Sequence, residues 1–215
     1  MLRIVLAVVA VLLSGFAVWR RVSPPASQSA DQPVFVTDWE NAIPLALPER
    51  APLAPHTMLV LADVECPACA SYRSVVERVS ERLPGQVRVL HVDYPLRQHR
   101  FALMAARAAE CADSVGRFHE FESTLYRLQD SIGILTWTDL AARAGIADSV
   151  RIEGCARGLL NSPRLEAARR FSESVAPRGT PTVILDGWRF PYPPSVDEIE
   201  AFIQSIRVIN ADSAS

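Results

Sequence analysis

The longest apolar run comes first. Residues 4–19 hold 16 positions without a charge, flanked by Arg3 and by Arg20-Arg21. The run is long for the apolar part of a cleaved signal and slightly short for a spanning helix of about 20 residues. It predicts a membrane anchor over residues 1–21, with a cleaved signal and a buried core helix as alternatives. Residues 22–33 (VSPPASQSADQP) then read as a flexible tether. Residues 34–57 contain Pro44, Pro48, Pro52 and Pro55. They predict an extended arm lying on the domain, with Trp39 as its apolar anchor.

From residue 58 the periods change in a regular order. Residues 58–64 form an apolar run that predicts a buried strand, and residues 67–83 a helix that stops at Pro84-Gly85. VRVLHVD at 87–93 alternates as a strand does. Helical spacing then recurs over 100–113, 116–129, 136–144, 149–157 and 162–174. Thr136 with Asp139, and Ser195 with Glu198, are spaced as capping boxes. Ser162 before Pro163 reads as an N-cap. Residues 182–185 and 188–190 flank Asp186-Gly187 as a hairpin, and 195–208 form the last helix. The order is strand, helix, strand, helical block, hairpin, helix. It predicts an α/β fold over 58–208, with a helical subdomain inserted at about 98–176 and a tail at 209–215.

Composition narrows the chemistry. Hydrophobic residues make up 49% of the chain, as a globular protein requires. Net charge is -2. Without Arg3, Arg20 and Arg21 the remainder carries 19 basic against 24 acidic residues, which leaves no electrostatic footprint for nucleic acid. All 22 basic residues are arginine, so Schiff-base and lysine-base chemistry are excluded.

The cysteines carry the candidate chemistry. Cys66-Pro67-Ala68-Cys69 spans the predicted strand-to-helix junction, with Cys66 at the N-cap and Pro67 at the first helical position. A helix N-terminus favours thiolate over thiol through its dipole and its free N–H groups. Gly179-Thr180-Pro181-Thr182, a turn and a proline opening a β-branched strand, is the second marked segment. Together the two segments point to a thioredoxin-like redox site. Cys111 and Cys155 lie alone in the helical block and predict a structural disulfide; two buried free thiols or a second redox pair are the alternatives. Only one close cysteine pair exists, and His56, His91, His99 and His119 are scattered, so no metal site is expected. His91 within its strand is expected to be packed, and His99 to serve local structure. Asp63 is either a proton-handling acid near Cys69 or a structural one. Glu65 is expected to be a solvated acid pointing away from Cys66. The cysteine content and the polar tether favour an extracytoplasmic body, although the arginines on both sides of the apolar run give no clear orientation.

Asp63-Val64-Glu65-Cys66-Pro67-Ala68-Cys69 resembles the active-site segment of DsbA-like thioredoxin-fold proteins, Asp-x-x-Cys-Pro-x-Cys. Pro95-Leu96-Arg97-Gln98-His99, followed by Ala102, Ala105-Ala106 and Ala108-Ala109-Glu110-Cys111, resembles the entry to that family's helical insertion. Gly116-Arg117-Phe118-His119-Glu120-Phe121 continues it, and Gly179-Thr180-Pro181-Thr182 resembles its cis-proline loop. The similarity covers residues 57–208. It implies an extracytoplasmic thiol:disulfide oxidoreductase that forms disulfides in exported proteins, with Cys66 as the reactive sulfur and Cys69 as its buried partner. It further implies a cis Pro181 and a Thr180 backbone presented to substrate, with Pro67, Ala68 and Asp63 supporting the site. The implied partners are reduced client proteins and a quinone-linked membrane protein that reoxidises the dithiol. A monomer without a cofactor is expected. One departure stands out. The pair between the cysteines is Pro-Ala, not the Pro-His of the best-known oxidases, so a reductase or isomerase, or a redox-inactive metallochaperone or binding module, stays open.

Overall fold

The computed structural model describes residues 32–50, 53–158 and 162–212. The anchor expected over residues 1–21 lies outside them. Among the described residues, no helix is long and apolar enough to cross a membrane.

Among the described residues, six strands form one sheet: β1 (Val34–Phe35), β2 (Leu47–Arg50), β3 (His56–Ala62), β4 (Val87–Asp93), β5 (Thr182–Leu185) and β6 (Trp188–Arg189). Their spatial order is β1-β6-β5-β3-β4-β2. Only β3 and β4 run parallel, joined through helix α1 (Pro67–Arg82). The other pairs are antiparallel. Helices α2 (Ala102–Asp113), α3 (Phe118–Arg127), α4 (Trp137–Arg143), α5 (Ser149–Ala156) and α6 (Pro163–Ser174) lie between β4 and β5, and α7 (Val196–Asp212) follows β6.

The two-residue period of the strands divides the core. On β3, Met58, Val60 and Ala62 pack with Tyr72, Val76 and Val79 of α1 and with Ile199 and Ile203 of α7. The alternate residues Leu59 and Leu61 face Ala168 of α6 and Ala42. A third cluster, built on Ala105, Phe121, Leu125, Leu140 and Ile152, lies within the helical insertion.

The stretch expected as an arm does more than lie on the domain. It supplies both edge strands, β1 beside β6 and β2 beside β4, with a 3-10 helix (Trp39–Leu45) between them. Pro48 disguised β2, because a proline is tolerated where an edge N–H needs no partner. The predicted helix over 116–129 is also shorter. Gly116 takes φ +68 after α2, and α3 ends at Arg127 before a 3-10 turn (Gln129–Ser131). The capping boxes at Thr136/Asp139 and Ser195/Glu198 and the Ser162 N-cap form as spaced.

Cys111 on α2 and Cys155 on α5 are bonded, with Cα atoms 6.4 Å apart. The bridge closes a loop with a sequence separation of 44 inside the insertion. Cys111→Ser is expected to lower stability by about 2–5 kcal/mol in chemical denaturation, while leaving the reduction potential of the Cys66/Cys69 pair unchanged. A large shift in that potential would contradict a purely structural bridge.

Candidate active site

Strand β3 stops where the apolar run meets Asp63. The chain turns there, with Cys66 N–H donating to the Asp63 carbonyl at 3.0 Å, and α1 begins with Cys66 as N-cap and Pro67 in its first turn. Proline suits that position because its missing N–H would have no helical partner. The Cys66 carbonyl accepts the first helical bond, from Ala70 N–H at 3.1 Å. Cys66 and Cys69 are both free thiols, 8% and 4% exposed.

The β3–β5 register, Leu61 opposite Thr182, brings the loop before β5 against this turn. The Thr180-Pro181 peptide bond is cis. Cys66 Sγ donates to the Thr180 carbonyl at 3.3 Å. Ala68 lies on the outer side of the turn, beside Thr180 and Pro181. The two segments marked in the sequence therefore meet.

Cys69 sits deeper. Burial pushes its thiol well above the ordinary range. The Asp63 main-chain N–H and the Thr180 hydroxyl counter this in part, and the neighbouring Cys66 adds to the rise. Behind Cys69 lies a cavity of about 10 Å³, also lined by Arg73, His91, Tyr126 and Pro181.

The acids around the turn are fully engaged. The Asp63 carboxylate accepts from Glu65 N–H at 2.8 Å, Leu96 N–H at 2.7 Å and His99 Nδ1 at 2.8 Å. It ties the active-site turn to the loop after β4. Glu65, expected as a solvated acid, is instead engaged by the protein. Its carboxylate accepts from Phe101 N–H at 2.5 Å, at the start of α2, where a helix N-terminus attracts negative charge.

Two features escaped the sequence reading. Gln129, in the 3-10 turn after α3, donates from Nε2 to the Val64 carbonyl at 2.6 Å and the Cys66 carbonyl at 3.1 Å. The second is a buried chain of charges. Arg73 Nη1 meets Glu122 Oε2 at 2.7 Å, and Glu122 Oε1 lies 2.6 Å from His91 Nδ1. His91 Nε2 lies 3.3 Å from Asp93 Oδ1. Asp93 Oδ2 accepts from Arg164 at 2.8 Å, and Arg164 reaches Glu110 at 3.1 Å. A histidine inside a strand was the one available signal.

A groove of about 250 Å³ opens at the cis-proline loop, lined by Ala68, Arg178, Thr180, Arg189, Phe190 and Tyr192. The Arg178 guanidinium lies over the Tyr192 ring, 5.5 Å from its centroid.

A family model described as thioredoxin matches residues 51–205. The chain belongs to the thioredoxin family. Its fold is that of the family's DsbA-like members. Chlamydia trachomatis DsbA aligns over 88% of this chain and 99% of its own, with a TM-score of 0.65 and 18% identity. BdbD from Bacillus subtilis aligns over 81% of this chain and 95% of its own, with a TM-score of 0.67 and 19% identity. Among curated proteins, a Na(+)/H(+) antiporter NhaA 1 from Mycolicibacterium gilvum is 33% identical over 119 residues, 49% of this chain and 19% of that protein. An NhaA 3 antiporter from Salinispora tropica is 28% identical over 71% of this chain and 23% of that protein. The chain thus spans about a fifth of the length of these curated relatives.

The buried charges set a pH dependence. Burial pulls the His91 imidazolium down, but Glu122 and Asp93 outweigh it and hold its pKa up at about 10. The ordinary value is about 6.5. The folded state therefore keeps a proton that the unfolded chain releases, and stability should fall as pH rises from about 6.5 to about 10. Burial opposes ionisation of Asp93 and Glu122, but the His91 and arginine partners hold both below the usual carboxylate range. Their contribution should be lost as pH falls through the acid range. Glu122→Gln should cost about 3–5 kcal/mol and flatten the alkaline loss. Urea denaturation across pH measures both, and an unchanged alkaline slope would contradict the assignment.

Proposed function

We propose that this chain is an extracytoplasmic thiol:disulfide oxidoreductase that forms disulfides in client proteins at Cys66 and Cys69. The observation that carries this reading is the Cys66 sulfur at a helix N-terminus, 3.3 Å from the carbonyl before a cis proline, with a more deeply buried thiol one turn behind. The N-terminal apolar run and the DsbA-like fold support an exported, tethered monomer.

In the working cycle a client thiolate attacks Cys66 Sγ of the Cys66–Cys69 disulfide. The S–S bond breaks, Cys69 leaves as a thiolate and takes a proton, and a mixed disulfide forms. A second client thiolate attacks the client sulfur of that bond and expels Cys66. Two electrons pass from client to protein, and the protein ends as the dithiol. Thr180 and Pro181 present backbone to the client chain. The high proton affinity of buried Cys69 disfavours its thiolate and keeps it from competing for the mixed disulfide. Reoxidation requires an acceptor, for which a quinone-linked membrane protein is the proposed partner.

The Pro67-Ala68 pair supports a second reading, a reductase or isomerase. Ala68 brings no charged or hydrogen-bonding side chain to the Cys66 thiolate. The reduction potential separates the two: a value near -120 mV marks a strong oxidase, and one near -270 mV marks a thioredoxin-like reductase, taking those approximate reference values. A metallochaperone would need further ligands, and among the described residues no group of three or more His, Cys, Asp or Glu is arranged to hold a metal.

Cys69→Ser should accumulate mixed disulfides with a reduced client such as unfolded ribonuclease, visible on non-reducing gels. Cys66→Ser should form none and show no oxidase activity. Trapping by Cys66→Ser instead would reverse the assigned roles, and trapping by neither would remove the redox reading.

A further inference from the structure

One amide from the helical insertion bears on the reactive cysteine's own peptide group. Gln129 Nε2 donates to the Cys66 carbonyl at 3.1 Å and to the Val64 carbonyl at 2.6 Å. Two carbonyls converging on one amide require its NH2 there, with a hydrogen for each. The Cys66 carbonyl also accepts from Ala70 N–H at 3.1 Å, the first bond of α1. Gln129 is thus tied to the residue at which the helix starts. We propose that Gln129 is a positioning residue that raises the oxidising strength of the Cys66–Cys69 pair. This rests on the oxidoreductase reading above.

The tie acts unequally on the two redox states. In the disulfide, the bond to Cys69 fixes the Cys66 sulfur whatever else holds the turn. In the dithiol that bond is gone, and the backbone of the turn carries the sulfur to the helix N-terminus. Cys66 holds φ -75 and ψ 118, the extended N-cap conformation in which a side chain lies over the first free N–H groups of the helix. Bridging the carbonyls on either side of Glu65 fixes the backbone between them. The two donated hydrogens also offset carbonyl charge that would repel a thiolate. The Thr180 carbonyl, 3.3 Å from the sulfur, adds to that repulsion. Gln129 therefore stabilises the reduced form more than the oxidised one, and a stabilised reduced form makes the disulfide a stronger oxidant. Its own backbone is fixed in the 3-10 turn, where the Gln129 carbonyl accepts from Ile132 N–H at 3.1 Å.

The test equilibrates the full chain with glutathione and glutathione disulfide, then acid-traps and alkylates it so that reduced and oxidised protein are counted by mass. Two glutathione thiols give two electrons and two protons to the Cys66–Cys69 disulfide, leaving the dithiol and glutathione disulfide. Gln129→Met keeps the length of the side chain and removes both donated hydrogens. It should shift the equilibrium constant toward the protein disulfide by about threefold to tenfold, or about 15–30 mV. Gln129→Glu should shift it further in the same direction, because an ionised carboxylate repels both carbonyls and the thiolate. Either variant alone carries the test. Chemical denaturation should show the reduced form losing more stability than the oxidised form in each. A merely structural residue would weaken both forms equally and leave the constant unchanged. An unchanged constant, a shift toward the dithiol, or failure of both variants to fold would overturn the inference and leave the oxidoreductase reading standing. An unmodified protein whose cysteines do not exchange with glutathione would sink both.

Discussion

A sulfur at residue 66 lies against a carbonyl at residue 180, and the rest of the molecule is arranged around that approach. The two atoms are 114 positions apart in sequence. No local preference can join them. The join comes from the sheet: β3 and β5 pair antiparallel, so the end of one strand lies beside the start of the other. Both strands are fully buried, and a one-residue slip would turn Met58, Val60 and Ala62 away from α1 and into the opposite face. Hydrophobic register thus fixes the site's geometry to within a hydrogen-bond length, although no residue of that register does chemistry.

The inserted helices hold the turn from the other side. Asp63, Glu65 and the Val64 and Cys66 carbonyls are each bonded to residues between 96 and 129. Two act through the carboxylates of Asp63 and Glu65 and two through main-chain carbonyls of the turn, so they constrain the backbone that carries Cys66 without engaging its sulfur. The charge chain from Arg73 to Glu110 makes a second seam, joining α1 to the insertion through Glu122 and β4 to α6 through Asp93. Buried ion pairs are weak sources of stability compared with well-packed apolar residues. Their strength is selectivity: misplacing the insertion would leave Glu122 and His91 buried and unmatched, which the core cannot tolerate.

Much of this was legible in the sequence, for reasons that differ by element. The α1 boundary was legible because Cys66-Pro67 encodes a cap and a first turn together. The Thr136/Asp139 and Ser195/Glu198 boxes were legible because capping is local. The meeting of Cys66 with Pro181 was inferred through a family resemblance, since spacing alone cannot report it. The edge strands were missed because pairing partners, not intrinsic preference, decide an edge segment rich in proline. Gln129 was missed for the same reason at the level of one side chain: a polar residue after a helix looks solvated until its acceptors, 63 and 65 positions away, are known. Glu65 was misjudged as solvated because its partner, the Phe101 N–H at the N-cap of α2, belongs to an element whose placement the sequence does not reveal.

The site has two faces with separate duties. Inward, Cys69 borders a cavity shared with Arg73 and His91, and desolvation keeps its thiol protonated. Outward, Ala68 and Thr180 open onto a groove edged by Arg178 and Arg189. The inward face acts on the sulfur through solvation and fixed charge. Pro181 borders both spaces, so the cis-proline loop is the element that links the buried thiol to the open groove.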